Sequence, residues 1–270
     1  MIKKSFLILF FILLIFPMYF MLVGGIQDIR GIMKMPPNIF PLNPVADNYL
    51  RMLKWNVLPW IINSIIGTFL TVALTIITVC SGGYFFAFYK FRFKNVLWGM
   101  FLIGLMIPRI STIIPMFVIM KKIHLQGTLL ATILPIVFSP FMLYLCRNYF
   151  ETVPQSLLES ARLDGAHEGE ILFHIVMPIS KPILSAVAVF SSIGYLQDYI
   201  WQMLVLNKDE NQTLLIGLTK SVRTAKDGLL NGFPYGQAMA VGTVLMIPLI
   251  IIFIVANKYF IGSLDGAIKE

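Results

Sequence analysis

The sequence predicts an all-α integral membrane protein with six transmembrane helices, and three observations lead to this fold class. Of the 270 residues, 58% are hydrophobic and only 13% are charged, with a mean hydropathy of +0.82. That apolar share is larger than a soluble globular domain carries. The apolar residues gather into stretches of about 20 residues, the length that a helix needs to cross a bilayer. The one dense polar insertion, residues 151–181, interrupts the apolar second half.

The apolar stretches follow one another as a single transmembrane domain, residues 1–270. They lie near residues 5–26, 59–88, 96–120, 128–147, 183–206 and 236–261. The first follows Lys3 and Lys4, as the apolar part of a signal peptide would. It is about 20 residues long and lacks a small-residue cleavage site, so we expect a retained membrane helix.

The third stretch is the least regular of the six. Pro108, Arg109 and Pro115 interrupt it. Proline removes a helical hydrogen bond, and a charged group at membrane depth needs a partner or an interfacial position. We therefore expect this stretch to be broken or to leave the membrane early.

Six crossings place both termini on one side of the membrane. The short basic link Lys90–Lys94 indicates that this side is cytoplasmic, although Lys and Arg divide evenly between the two sides. The polar segments Gln27–Leu58 and Asn207–Tyr235 then lie outside, and the second carries Gly228 and Gly232. Both segments are candidate docking surfaces, and simple solvation of a loop is the alternative.

Composition and motifs exclude several functional classes. The net charge of +8 fits anionic lipid surfaces better than nucleic acid in so apolar a chain. Cys80 and Cys146 lie in apolar stretches and predict neither a disulfide framework nor a metal site. The chain contains no Walker A, HExxH or GxSxG motif. We expect no catalytic residue, no metal and no cofactor, so any ATP must be bound by a partner.

The polar segment 151–181 predicts a helix–turn–helix in water. Pro154–Arg162 and His167–Met177 have helical periodicity. Between them, Asp164 can cap the second helix, and Gly165 can adopt a backbone angle that strains other residues. Pro178 is expected to end the unit. The predicted apolar sides are Leu157, Leu158 and Ala161 in the first helix and Leu172, Ile175 and Val176 in the second.

The residues of this segment resemble the EAA loop of carbohydrate-type permeases in ATP-driven, binding-protein-dependent (ABC) importers. The matching residues are Glu159-Ser160-Ala161, Asp164-Gly165-Ala166 and Ile175-Val176-Met177-Pro178, with Ser160 in place of a family alanine and Met177 in place of leucine. Other matches over roughly residues 55–270 are Asn63-Ser64, Pro108, Ile114-Pro115, Gly194, Asp198 and Trp201.

The resemblance is to inner-membrane permease subunits such as the smaller permease of the maltose transporter. It implies a path for sugars or oligosaccharides, shared with a second homologous permease. It also implies two cytoplasmic ATPase subunits, an extracytoplasmic solute-binding protein and a multi-pass position in a bacterial-type cytoplasmic membrane. The residues that it assigns to ATPase coupling are Glu159, Ala161, Asp164, Gly165, Ala166, Ile175 and Pro178.

A coupling role also has a physical basis of its own. A short amphipathic helix that projects from a bundle acts as a lever on the membrane helices. A solvated loop without such a role is the alternative interpretation.

The fifth stretch contains a polar stripe that predicts a solute path. If the stretch is one helix, Ser191, Tyr195, Asp198 and Gln202 share one face of it. Such groups can hydrogen-bond a polyhydroxylated solute, on which aromatic rings also stack. Polar contacts that hold membrane helices together are the alternative. The candidate path residues are Asn63, Tyr195, Asp198, Trp201 and Gln202.

The sequence leaves three other functions open. Another polar solute, such as a polyol or a sugar phosphate, would be carried by the same machinery; a phosphate would favour a basic lumen, at which only Arg109 hints. A multi-pass membrane enzyme or assembly factor would need a cluster of His, Asp or Glu that His124, His167 and His174 do not form. A passive channel would conduct without ATP and leave the EAA-like loop without a purpose.

Overall fold

The computed structural model describes residues 2–224 and 234–267, and helices account for most of them. Among these residues there is no β-strand, and Gln27 and Pro44 form an isolated antiparallel bridge. A π-helical turn covers Ile171–Val176, and a 3-10 turn covers Asp209–Asn211. The α-helices are α1 (Ile2–Gly25), α2 (Ile29–Ile32), α3 (Asp47–Met52), α4 (Val57–Phe88), α5 (Lys94–Met106), α6 (Arg109–Lys122), α7 (Leu129–Val137), α8 (Pro140–Phe150), α9 (Gln155–Leu163), α10 (Glu168–Glu170), α11 (Met177–Ile179), α12 (Lys181–Leu196), α13 (Tyr199–Val205), α14 (Leu214–Thr224) and α15 (Tyr235–Ala267).

Several helices are long and apolar enough to cross a membrane. By length and composition, α1, α4 and α15 can each cross a membrane. Three bent pairs also meet the test: α5 with α6 at 105°, α7 with α8 at 46°, and Glu168–Ile179 with α12 at 87°. Counting each pair as one span makes six spans in the described residues, so the all-α membrane fold is confirmed.

Proline explains two of the bends. The third stretch is broken, as expected, at Pro108, which is extended (φ −62°, ψ 126°) before α6. The fourth stretch is also broken, which the sequence did not predict. Ser139 is extended before Pro140, because proline disfavours helical geometry in the preceding residue. The Ser139 hydroxyl then caps α8 by accepting a hydrogen bond from the Met142 amide at 3.4 Å.

The fifth stretch is not the continuous helix expected over 183–206. Helix α12 ends at Leu196, and α13 begins at Tyr199 after a non-helical Asp198 (φ −77°, ψ 66°). Gln202 Nε2 donates a hydrogen bond to the Tyr195 carbonyl at 2.6 Å, so a side chain satisfies a carbonyl close to the helix end. The predicted polar stripe is therefore divided between two helices.

Contacts within the chain form two compact units. The first comprises Met1–Asn63 and Gln212–Ile251, and the second comprises Ser64–Asn211 and Ile252–Glu270. The first unit has its core around the buried Trp60, which packs with residues of α3, α14 and α15. A Cβ added to Gly217 would lie 2.2 Å from the Trp60 ring, so only glycine allows this approach. Gly228 and Gly232 of the second outer segment lie outside the described residues.

The second unit contains the whole polar segment 151–181. Its largest core joins Val79 and Tyr84 of α4 to side chains of α8, α9, the π-helical turn and α12. Leu158 of α9 and Ile171 of the π-helical turn are almost completely buried there. The polar segment is therefore anchored to the membrane helices and is more than a solvated loop.

Candidate functional site

Helix α9 has one buried and one exposed side. Leu158 and Ala161 are buried in the core of the second unit. Leu157 and Leu163 are 45% and 88% exposed. Leu157 was expected on the buried side, but it lies about 100° around the helix from Leu158. The exposed side of α9 thus presents apolar surface that no other part of the described chain covers.

Glycine shapes the turn after α9. Gly165 has a φ of +84°, in the left-handed region, as the sequence predicts. Asp164 does not cap the second helix, contrary to the prediction. It is the C-cap of α9, and three residues separate it from Glu168, where the next helix begins. An N-cap must directly precede its helix, and His167 fills that position, with its amide donating to Glu170 Oε2 at 2.8 Å.

The second half of the polar segment differs from the prediction at its C-terminal end. Leu172, Ile175 and Val176 pack against the core of the second unit, as predicted. Pro178 does not end the unit, because it occupies the first turn of α11, where its missing N–H is not required. The bend comes at Ser180, whose amide donates to the Val176 carbonyl at 3.0 Å.

The residues assigned to coupling by the resemblance differ in accessibility. Ala161 is buried, and Ala166 and Ile175 are half-buried. The exposed members are Glu159, Asp164, Gly165 and Pro178.

A three-residue network, which the sequence analysis missed, ties this segment to α4. Arg162 Nε and Nη2 donate to the two carboxylate oxygens of Glu168 at 2.8 and 3.3 Å. Tyr84 Oη, on a buried side chain near the end of α4, donates to Glu168 Oε2 at 2.5 Å. The hydrogen bond from Arg162 lowers the pKa of Glu168 from 4.5 to about 2. Glu168 therefore stays ionised and joins α4, α9 and α10.

A cavity of about 510 Å³ lies among the membrane helices of the second unit. It is within the size range of small-molecule sites. Its lining includes four hydroxyl residues, one cation and three aromatic residues: Thr71, Thr112, Ser139, Ser191, Arg109, Phe138, Phe190 and Trp201.

Arg109 and Asp198 join the broken third and fifth spans. The guanidinium Nη2 of Arg109 donates to Asp198 Oδ2. Arg109 is 53% exposed, whereas Asp198 is only 8% exposed. The expectation that Arg109 needs a partner is thus met by a carboxylate 89 positions later in the chain.

Most of the other predicted path residues are engaged in packing. Tyr195 Oη shares a buried hydrogen bond of 3.0 Å with Thr132 Oγ1. Trp201 Nε1 donates to the Ala131 carbonyl at 2.9 Å, and its ring also lines the cavity. Gln202 is buried beside Tyr195. Asn63 belongs to the first unit, where Nδ2 donates to the Gln212 carbonyl at 2.9 Å.

The described residues contain no group of three or more His, Cys, Asp or Glu side chains able to hold a metal ion. Cys80 and Cys146 are free thiols buried in the core of the second unit.

Comparison with known proteins places these features in context. Residues 79–265 match the family model described as "binding-protein-dependent transport system inner membrane component". That range includes the whole polar segment 151–181 and all of the helices from α5 to α14.

Two curated relatives extend the similarity to nearly the whole chain. An arabinooligosaccharides transport system permease protein from Bacillus subtilis is 30% identical, over 97% of this chain and 95% of that protein. An sn-glycerol-3-phosphate transport system permease protein from Brucella abortus is 26% identical, over 96% and 93%.

A solved structure shares the fold. In a bacterial ABC transporter involved in the import of the acidic polysaccharide alginate, one chain matches with a TM-score of 0.84 and 23% identity. The match covers 96% of this chain and 95% of that chain.

Proposed function

This chain belongs to the family of binding-protein-dependent transport system inner membrane components, and from that premise we propose its specific role. It forms one half of the translocation path of an ATP-driven importer for sugars or oligosaccharides. A second, homologous permease forms the other half. The chain carries out transport and no covalent chemistry.

The two-sided helix α9 carries this proposal. Its buried side holds Leu158 and Ala161 in the same core as α4, α8 and α12. Its exposed side offers Leu157 and Leu163 to a partner. A partner that binds the exposed side moves α9, and the shared core transmits that movement to the membrane helices. The residues proposed for coupling are Glu159, Ala161, Asp164, Gly165, Ala166, Ile175 and Pro178.

The partners follow from this arrangement. Two cytoplasmic ATPase subunits bind and hydrolyse ATP, and one of them receives the exposed side of α9. An extracytoplasmic binding protein delivers the solute to the opposite side of a bacterial cytoplasmic membrane. Alternating access then arises when the permease helices tilt as rigid bodies.

The solute class is supported by one relative and by the cavity. The arabinooligosaccharides permease from Bacillus subtilis is 30% identical to this chain. The cavity combines hydroxyl groups with the Trp201 ring, a mixture that suits polyhydroxylated solutes. Asn63, Tyr195, Asp198, Trp201 and Gln202 remain the proposed path residues, and of these Trp201 lines the cavity. A sugar phosphate is the second candidate, because Arg109 is half-exposed in that lining.

The test uses the assembled transporter in lipid vesicles. Leu163→Asp places a charge on the exposed side of α9 without touching its buried side. We expect this variant to assemble in the membrane but to lose most of the solute-stimulated ATP hydrolysis and uptake, because the partner must desolvate the new carboxylate.

Thr152→Asp is the matched control, since Thr152 is exposed and precedes α9. It should retain both activities. Full uptake by the Leu163→Asp variant would contradict a coupling role for α9. Purification of the chain without an ATPase partner would contradict the importer itself.

A further inference from the structure

The cavity of the second unit contains a hydroxyl group without a partner. Thr71 lies on α4 and lines the cavity, and its residue is completely buried. Its Oγ1 makes no hydrogen bond within the described part of the chain. A buried polar atom left in this state costs free energy, so such atoms normally have a partner. Because this oxygen is enclosed by the chain, a solute in the cavity reaches instead the exposed Thr112 and the half-exposed Arg109.

The charge of the cavity is set by a single ion pair. Among the residues described in its lining, Arg109 is the only one with an ionisable side chain. The exposed part of its guanidinium faces a space otherwise lined by hydroxyl and apolar groups. Its positive charge is balanced by the buried Asp198 carboxylate, to which it is directly bonded.

We propose that this cavity binds part of an uncharged, polyhydroxylated solute, and that the Arg109–Asp198 ion pair determines this selectivity by keeping the cavity electrically neutral. The inference rests on the proposed function, because it concerns the solute of the same path. The inference distinguishes the two candidate solutes, an oligosaccharide and a sugar phosphate, by their charge.

The chemistry of arginine explains why the pairing matters. A free guanidinium binds phosphate and carboxylate groups with two parallel hydrogen bonds. In this chain, Asp198 already occupies part of that donor set and cancels its charge. An anionic solute must therefore compete with a carboxylate that is covalently part of the chain. A neutral solute can still accept a hydrogen bond from the remaining N–H groups.

The experiment measures the electrostatic potential of the cavity directly. Thr112→Cys introduces an exposed thiol in the lining, one helical turn after Arg109. In membrane vesicles that contain the chain with its companion subunits, this thiol is treated with an anionic sulfonatoethyl or a cationic trimethylammonioethyl methanethiosulfonate. The ratio of the two rates is compared with that at Thr152→Cys, outside the cavity. Protein without an added cysteine controls for Cys80 and Cys146, which are buried.

The proposal predicts an ordered response in three variants. With the native pair, the rate ratio in the cavity should equal that at the control site within about twofold. Asp198→Asn should raise the relative rate of the anionic reagent by roughly three- to tenfold, because Arg109 is then unbalanced. Arg109→Gln should lower it, and the double variant should restore the native ratio.

Two results would overturn the inference. A native cavity that already favours the anionic reagent would show that Arg109 acts as a free cation. An unchanged ratio in both single variants would show that the pair does not control the potential. Because no transport is measured, either result leaves the importer proposal intact, and failure of uptake in the assembled transporter leaves the labelling result intact.

Discussion

At the scale of single residues, the Arg109–Asp198 pair is asymmetric, because only Arg109 is substantially exposed on the surface of the chain. Asp198 is 8% exposed and Arg109 is 53% exposed. Arg109→Gln leaves a buried carboxylate without its counter-charge, whereas Asp198→Asn leaves a cation that is half-exposed in the cavity lining. We expect Arg109→Gln to destabilise the protein by roughly 2–3 kcal/mol more than Asp198→Asn. Thermal unfolding of the two variants in the same detergent measures the difference.

The double variant, Arg109→Gln with Asp198→Asn, separates the effect of charge on stability from the effect of side-chain shape. It should be more stable than Arg109→Gln alone, because no buried charge remains. Equal stability of the two single variants would show that Asp198 is better hydrated than its burial indicates.

Gly165 provides a test of backbone strain at the same scale. Its φ is +84°, and a Cβ added there would meet no atom within 4 Å. Alanine at this position therefore introduces strain without a clash, and we expect Gly165→Ala to cost about 1–2 kcal/mol of stability. Gly169→Ala is the matched control, since its Cβ also meets nothing and it lies within α10. That change should be neutral or stabilising in thermal unfolding, because alanine is the better helix former.

At the scale of helices, the Arg162–Glu168–Tyr84 network makes stability depend on pH. The pKa of Glu168 falls from 4.5 to about 2 on folding, chiefly through the hydrogen bond from Arg162. A lowered pKa means that the network stabilises the fold above about pH 4.5 and loses this contribution as the pH falls towards 2. The side chains of Arg162 and Glu168 are each 40% exposed, so solvent screening limits the contribution of the pair to stability to about 0.5 kcal/mol.

The Glu168→Gln variant isolates this contribution. Its carboxamide keeps the shape but does not titrate, so the variant should be less stable than the native chain at pH 7. The difference should shrink between pH 4.5 and pH 3. Gln155→Ala, at an exposed position of α9, is the control, because it replaces a side chain that does not titrate and its effect should stay constant over this pH range. A constant difference across this pH range would assign the effect of Glu168 to packing rather than to charge.

Some features of the helices could be predicted from the sequence and others could not, depending on what causes each feature. The presence of long helices could be predicted, because membrane spans require long apolar stretches of sequence. The helix break at Pro108 could be predicted because a proline and an arginine interrupt the apolar stretch there. The break at Asp198 was not, because no proline marks it and the compensating bond comes from the Gln202 side chain. The N-cap at His167 was missed because Asp164 is the better capping residue but stands too far from Glu168.

At the scale of the whole molecule, the sequence predicted which side chains were polar but not which of them meet. Asp198 was predicted to belong to the polar stripe of the fifth stretch, and Arg109 was predicted to need a partner or an interfacial position. Their pairing depends on two broken spans that lie far apart in the chain, and periodicity within one helix carries no information about it. The same limit concealed the contact of Tyr84 with Glu168. Local patterns thus predicted the elements, and tertiary packing determined the site.

The strong bend between α5 and α6 leads to a prediction about the number of membrane crossings. These helices meet at 105°, so the pair either crosses the membrane as one broken span or returns to the side on which it began. Six crossings require that it crosses. Cysteines introduced at Arg92 and Lys122, which are both exposed and flank the pair, should then react with a membrane-impermeant maleimide from opposite sides. We expect Arg92→Cys to react only in inside-out vesicles and Lys122→Cys only in intact cells.

Asn43→Cys and Ser156→Cys extend this test beyond the bent pair. Both positions are exposed, and α4, the α5–α6 pair and the α7–α8 pair separate them. Three crossings place them on opposite sides, with Ser156 inside, where an ATPase can reach α9. If α5–α6 is re-entrant, only two crossings remain and the two cysteines react from the same side. That outcome would put α9 on the same side of the membrane as the segment Gln27–Leu58, and coupling to a cytoplasmic ATPase would then require that segment to be cytoplasmic as well.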